Sequence, residues 1–209
     1  MMPFRRGAPS REPLTLPLFP LKAVLYPGGL LPLKVFEQRY IDMTKRCIQD
    51  DKPFGVCLLT RGEEVARPGV PETLEFALIG TLARIISWDM PQLGILQLRT
   101  EGGSRFQVHS HRTADDGLVL AEATSIPPEP SLPLPEIHQP LAGLLELMIN
   151  RVGREHFVGE ALDDASWVGY RLAELLPLPA NIKQSMLEIN DSEVRLKAIA
   201  QFLKQQDLL

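Results

Sequence analysis

The sequence is short of cysteine, of long apolar runs and of clustered positive charge, and each shortage removes a class of function. Only Cys47 and Cys57 occur in 209 residues. Two are too few for the disulfide framework of a secreted domain, and both sit in apolar patterns typical of buried free thiols. No run approaches the roughly 20 apolar residues that cross a bilayer, so a spanning helix is not expected. The opening MMPFRRGAPSREP is basic, but the apolar stretch after it is broken by Pro17, Pro20 and Pro27 and does not form the apolar region of a signal peptide. A soluble, cytoplasmic protein without a membrane partner is the expectation. Beyond Arg5, Arg6 and Arg11 there is no basic cluster: residues 1–130 carry 15 basic and 15 acidic groups, and residues 131–209 carry 7 and 11. A chain of net charge −4 with that distribution offers little to a phosphate backbone, so no nucleic-acid partner is expected.

Motifs of several enzyme classes are missing as well. There is no G-x-x-x-x-G-K-[ST] loop to cradle phosphates and no G-x-G-x-x-G after a strand, and the run Glu101-Gly102-Gly103-Ser104 reads as a hairpin turn. No G-x-S-x-G elbow presents a serine nucleophile. Ser185 and Lys183 are two residues apart on one short helix and so do not face each other. His109 and His111 share a strand face, yet no cysteine or acidic pair nearby completes a metal site, and alternation with Phe106, Val108 and Ser110 already accounts for them. His156 and the acidic pairs Glu63-Glu64 and Asp163-Asp164 read as solvated loop residues, and Cys57, between Val56 and Leu58, reads as core. No catalytic residue, metal site or cofactor is expected.

Proline, with 19 residues, is the abundant type, and five of the ten residues in PPEPSLPLPE, residues 127–136, are proline. Proline fits neither a helix interior nor a strand ladder, so this segment reads as a stiff linker. Before it the apolar spacing is that of strands; after it the spacing is that of helices. Short strands are expected over 14–18 and 24–26, with Pro27-Gly28-Gly29 as a tight turn. Phe36, Tyr40, Met43 and Cys47 mark the buried face of a helix over 35–48. Further strands are expected over 54–59, then over 74–88 with a hinge at Gly80. A loop with Pro68-Gly69-Val70-Pro71 separates these two. The later strands fall over 95–100, 105–111 and 118–126, with turns at 90–94, Gly102-Gly103 and Asp115-Asp116-Gly117. Four helices follow: one bearing Ile137, Leu141, Leu145 and Met148, one over 164–176, a short one opened by Pro179, and one capped by Asn190-Asp191-Ser192-Glu193. Residues 1–13 read as a flexible N-terminus, 14–126 as a β-rich barrel, 127–136 as linker and 137–209 as a helical bundle.

Several segments of the first part carry a resemblance. Leu16-Pro17-Leu18-Phe19-Pro20-Leu21, Val24-Leu25-Tyr26-Pro27-Gly28, Leu31-Pro32-Leu33 and Phe36-Glu37-Gln38-Arg39-Tyr40 resemble, in order and spacing, the opening of the Lon protease amino-terminal, substrate-binding domain. Phe54-Gly55-Val56, Ile79 to Ile85 and Gly103 to Phe106 agree with later parts of it. The resemblance implies an α+β fold: a PUA-like pseudo-barrel of about six strands with one inserted helix, then a C-terminal helical bundle. It also implies recognition of unfolded or damaged polypeptide without catalysis, by a free-standing chain that ends at Leu209 without the family's ATPase ring and Ser-Lys protease. A separate protease or chaperone is then an expected partner.

Glu37, Arg39 and Tyr40 lie in the opening motif but are better explained by helix-start electrostatics and ion pairing. Trp88, close to Met90 in a proline-containing turn, offers an apolar anchor, and the expected binding surface is a groove between barrel and bundle carrying Trp88 and Met90. The alternative is a stand-alone peptidase or small-molecule hydrolase with an unrecognised site.

Overall fold

The structure, a computed structural model, describes residues 13–65 and 74–206; the expected N-terminal segment and the Pro68–Pro71 loop fall outside them. Chain order is β1 (Leu14–Leu21), β2 (Leu30–Val35), α1 (Gln38–Asp50), β3 (Phe54–Arg61), β4 (Glu75–Phe76), β5 (Ile79–Gln92), β6 (Ile95–Thr113) and β7 (Val119–Ser125). The helices α2 (Gln139–Val152), α3 (Ala165–Leu175), α4 (Ala180–Glu188) and α5 (Ser192–Gln205) complete it. The class is α+β, a mostly antiparallel barrel followed by packed helices.

Five strands close the ring, in the order β1-β7-β6-β5-β3 and back to β1 through a parallel β1–β3 pairing; β2 lies outside on β6 and β4 on β3. β1 makes this closure with two prolines inside it. Its first half pairs with β7 (Leu14↔Ala123 to Leu18↔Val119) and its second with β3 (Leu18↔Gly55 to Leu21↔Leu58), so each proline has an edge without a ladder on which to place its missing N–H. Leu18, Phe106 and Ala121 pack in one buried cluster, and Phe54 and Val56 pack in another, shared with α1, on the opposite face of β3. α1 covers one mouth with Tyr40, Met43 and Cys47 turned inward, and Tyr40 stacks on Phe19 with ring centroids 4.0 Å apart.

Several expectations fail for physical reasons. Phe36 precedes α1 and is exposed, because the helix starts only at Gln38. Gly102-Gly103 does not turn the chain. β6 runs straight through it as one 19-residue strand, and the glycines serve a bulge between Thr81↔Arg105 and Ala83↔Gly102. A Cβ on Gly102 would stand 2.0 Å from the Tyr26 carbonyl oxygen, so only glycine admits that backbone contact. Residues 24–26 form no strand. They cross over β6, with Gly28 at φ +70°, Gly28 N–H donating to the Gly102 carbonyl (2.7 Å) and Gly102 N–H to that of Gly29 (2.8 Å). The crossing carries Tyr26 out of the barrel and into the helical core, where its hydroxyl donates to the Lys183 carbonyl at 2.8 Å.

α3 is the central helix, touching α2, α4 and α5, with Val168, Leu172 and Ala173 fully buried. Asp164 caps it by accepting from Trp167 N–H (2.7 Å), and Asp191 caps α5 by accepting from Glu193 and Val194 N–H. The proline-rich segment is held along its length against the helices: Leu134 N–H donates to Asp163 (2.7 Å), Ala165 N–H to Leu132 (2.9 Å), and Pro133 bridges Asp164.

Within that segment, Glu129 is the junction of barrel and bundle. Its buried carboxylate accepts from Arg195 of α5 (2.9 Å to Oε2), Tyr170 Oη (2.6 Å) and Ser166 Oγ (2.9 Å) of α3, and it lies 3.5 Å from Arg105 of β6. Arg105 donates in turn to the Leu187 and Ile189 carbonyls (2.7 and 3.0 Å), and Arg195 to that of Met186 (2.9 Å). The two guanidiniums thus satisfy the orphan carbonyls at the C-terminal end of α4, where positive charge also suits the dipole. Arg195 lies over the Tyr170 ring, 3.9 Å from its centroid. Burial alone would raise the Glu129 carboxyl, but the hydrogen bonds from Arg195 and Tyr170 outweigh it and hold the group below the ordinary 4.5.

The packing of Gly102 and Glu129 sets three expected outcomes. Glu129→Ala strands two buried guanidiniums and should cost about 3–5 kcal/mol in urea unfolding. The contribution of the Glu129 charge is full above pH 4.5 and is lost as pH falls through its lower folded value, so Glu129→Gln should flatten the acid limb of stability against pH. Gly102→Ala must push aside the Tyr26 backbone and should cost about 1–3 kcal/mol in the same measurement.

Candidate functional site

The residues first suspected of chemistry are occupied in structural roles. Arg39 pairs with Glu37 (3.0 Å), donates to the Gly117 carbonyl (3.0 Å) and lies over the Tyr40 ring, so the motif ties α1 to the turn before β7. Ser185 Oγ donates to the Asn181 carbonyl (3.1 Å) and Lys183 Nζ to that of Glu174 (2.7 Å), so the two side chains are directed to separate partners. His109 Nε2 is 2.8 Å from Thr124 Oγ1, and the His111 ring rests 4.9 Å from that of Phe76. Burial pushes the Cys47 thiol up to about 11 and the Cys57 thiol to about 12, which suppresses the nucleophilic thiolate at neutral pH. Among the described residues, no three His, Cys, Asp or Glu side chains are grouped to hold a metal ion, and no helix is long and apolar enough to cross a membrane.

The barrel–bundle boundary is not an open groove. Glu129, Arg105, Arg195 and Tyr26 fill it, and Gln184 Nε2 closes it over β5 by donating to the Ile79 carbonyl (2.9 Å). Trp88 and Met90 lie towards the other end of β5, away from this boundary. They are not in a turn: the strand continues to Gln92, and the reversal is the two-residue Leu93-Gly94, with Gly94 at φ +80°.

The outer half of the β5–β6 hairpin extends past the β3 pairing, with β2 along β6. Its register contains a bulge: Ile85 faces Thr100 and Ser87 faces Arg99, so Ile86 is the extra residue. The bulge resets the alternation. Ser87 falls opposite the exposed Arg99 and Trp88 opposite the buried Leu98, so Trp88 shares the face that leads into the barrel core. Ile86, Trp88, Met90 and Leu93 are 38%, 54%, 37% and 92% exposed, a concentration of apolar surface on one projecting hairpin. At its base a half-open pocket of about 240 Å³ separates residues 84–88 of β5 from the end of α1, where Cys47, Ile48, Asp51 and Lys52 form the opposite wall. Asp51 ends α1 in the left-handed conformation at φ 48°. Sequence reasoning named Trp88 and Met90 but missed Ile86, Leu93 and the α1 wall. The short apolar spacing Ile-x-Trp-x-Met-x-x-Leu was the available signal.

Comparison with known proteins places this geometry. The profile of the ATP-dependent protease La (LON) substrate-binding domain matches residues 15–205. Lon protease 2 of Myxococcus xanthus is 26% identical over 202 residues, covering 93% of this chain and 24% of that protein. The chain therefore spans about a quarter of the length of such curated relatives. Protein cereblon of Danio rerio is 32% identical over 124 residues, 57% of this chain and 27% of that protein. Among solved structures, a Lon N-terminal domain protein from Xanthomonas campestris is 39% identical, with a TM-score of 0.72 over 90% of this chain and 98% of that one. The N-terminal domain of Mycobacterium avium complex Lon protease, at 16% identity and a TM-score of 0.60, shares the fold. The chain belongs to the Lon substrate-binding domain family.

Proposed function

We propose that this chain captures exposed apolar segments of unfolded or damaged polypeptide through the β5–β6 hairpin, and delivers them to a separate protease or chaperone without cleaving them itself. The observation that carries the reading is the group Ile86, Trp88, Met90 and Leu93, four large apolar side chains exposed on one projecting hairpin. Family membership supports binding of polypeptide as the task, and the separate hydrogen-bond partners of Ser185 and Lys183, with both free thiols buried, support binding over hydrolysis. Trp88 is suited to anchor a mobile apolar partner, because a rigid ring gives large contact area at small entropic cost.

The test is fluorescence anisotropy with fluorescein-labelled casein, a naturally unfolded chain. Trp88→Ala combined with Leu93→Ser should weaken binding by roughly tenfold, the effect of losing a main anchor. Thermal unfolding should move little, because these side chains are exposed. Release of acid-soluble fragments by the purified chain, with or without ATP, would overturn the reading.

A further inference from the structure

The pocket beside Trp88 runs along a strand edge. Five consecutive β5 residues, Arg84 to Trp88, line it. Side chains of consecutive strand residues point to opposite faces, so what five in a row have in common is the edge. That edge is unpaired: β3 lies on it only at Thr81, Leu82 and Ala83, and among the described residues no strand follows it further. Main-chain N–H and C=O groups therefore face a cleft whose far wall is the end of α1.

The geometry points to strand addition: an extended polypeptide pairs with the β5 edge beyond Ala83 and seats an apolar side chain between Trp88 and Ile48. This rests on the polypeptide-binding reading and specifies how it is done. Free main-chain groups in a row are complementary to another backbone and to no other common ligand. The bulge at Ile86 selects which backbone. A twisted, interrupted edge is a poor match for the regular strand of a second folded copy, whereas an unfolded segment can follow it. The lining carries two cations, Lys52 and Arg84, against one carboxylate, Asp51. Arg84 is engaged by Glu101, while Lys52 is only loosely held, 3.8 Å from Asp50. With Asp50 and Glu101 counted, three carboxylates stand against two cations, so the backbone edge and the apolar contact, not charge, select the occupant.

The test uses a short fluorescein-labelled peptide alternating Thr and Leu around a central Phe, with a Glu at each end. Two versions are methylated on alternate backbone nitrogens, one version in each phase. Strand addition requires that one version lose affinity by at least about tenfold, since it forfeits several hydrogen bonds, while the other, whose methyl groups face solvent, binds like the parent. Ser87→Lys, an exposed substitution that places a long side chain on the edge, should weaken the parent without shifting the melting temperature. Equal binding of both methylated versions would overturn strand addition and leave polypeptide capture standing. Failure of the unmodified peptide and of casein to bind would overturn both. A concentration-dependent dimer that excludes the peptide and dissolves in Ser87→Lys would assign the edge to a second copy and overturn the proposal.

Discussion

The carboxylate of Glu129 is the contact on which the arrangement of barrel and helices depends. It is contributed by neither: it sits in the connecting segment, yet it meets Arg105 from β6, Arg195 from α5 and two hydroxyls from α3. One carboxylate cannot neutralise two guanidiniums. The remaining positive charge is directed at the Met186, Leu187 and Ile189 carbonyls, where α4 ends and would otherwise leave acceptors buried and unmet. Each member of the cluster satisfies a need of another, which is the condition under which a buried ionic group is tolerated. Its geometry fixes direction as well: a guanidinium donates in a plane, so Arg105 and Arg195 define how the helices are set against β6 more narrowly than apolar contact would.

That cluster decides where function is to be sought. With the inserted Tyr26 ring and Gln184, it occupies the boundary among the described residues, and separating its members would expose charges paired there. Large apolar side chains are instead exposed on the outer hairpin, the surface on which the proposed reading rests. The division of labour is physical: the ionic junction sets the helices against β6, while the hairpin beyond Ala83 rests on β2 and on the α1 side of the core and keeps apolar side chains exposed.

Much of the fold was legible from residues alone, because it rests on period and on punctuation. The strand-like spacing up to residue 126, the helical spacing after 137 and the Asp191 cap all express local preferences, and the helices α2 to α5 lie where their patterns put them. The errors come from long-range contacts. Gly102-Gly103 has the composition of a turn, but its role is to let the Tyr26 backbone approach, a partner some 75 residues away in sequence. Tyr26 has the pattern of a strand residue, yet its ring completes the core of helices that begin more than 100 residues later. Glu129, isolated among prolines, gives no sign that three elements converge on it. At the candidate site Trp88 and Met90 stood out by size and setting, whereas the bulge at Ile86, which decides the face Trp88 occupies, is a property of register and leaves no mark in composition.

Exposing Trp88, Met90 and Leu93 on a hairpin invites aggregation, and the local chemistry limits that risk. The β5 edge is interrupted at Ile86 and again between Asp89 and Gln92, it carries Arg84 and Asp89, and it has Pro91 next to its last residue, each a feature that discourages flat edge-to-edge pairing of folded chains. None of these features obstructs a partner that is itself unfolded, since such a chain can bend with the twist and place its apolar side chains one at a time. On the proposed reading, the same irregularity that discourages pairing with a regular strand suits a ligand that lacks a fixed shape. Discrimination of that kind needs no catalytic group. It requires an apolar surface, an unpaired backbone and a geometry that only a flexible chain can match.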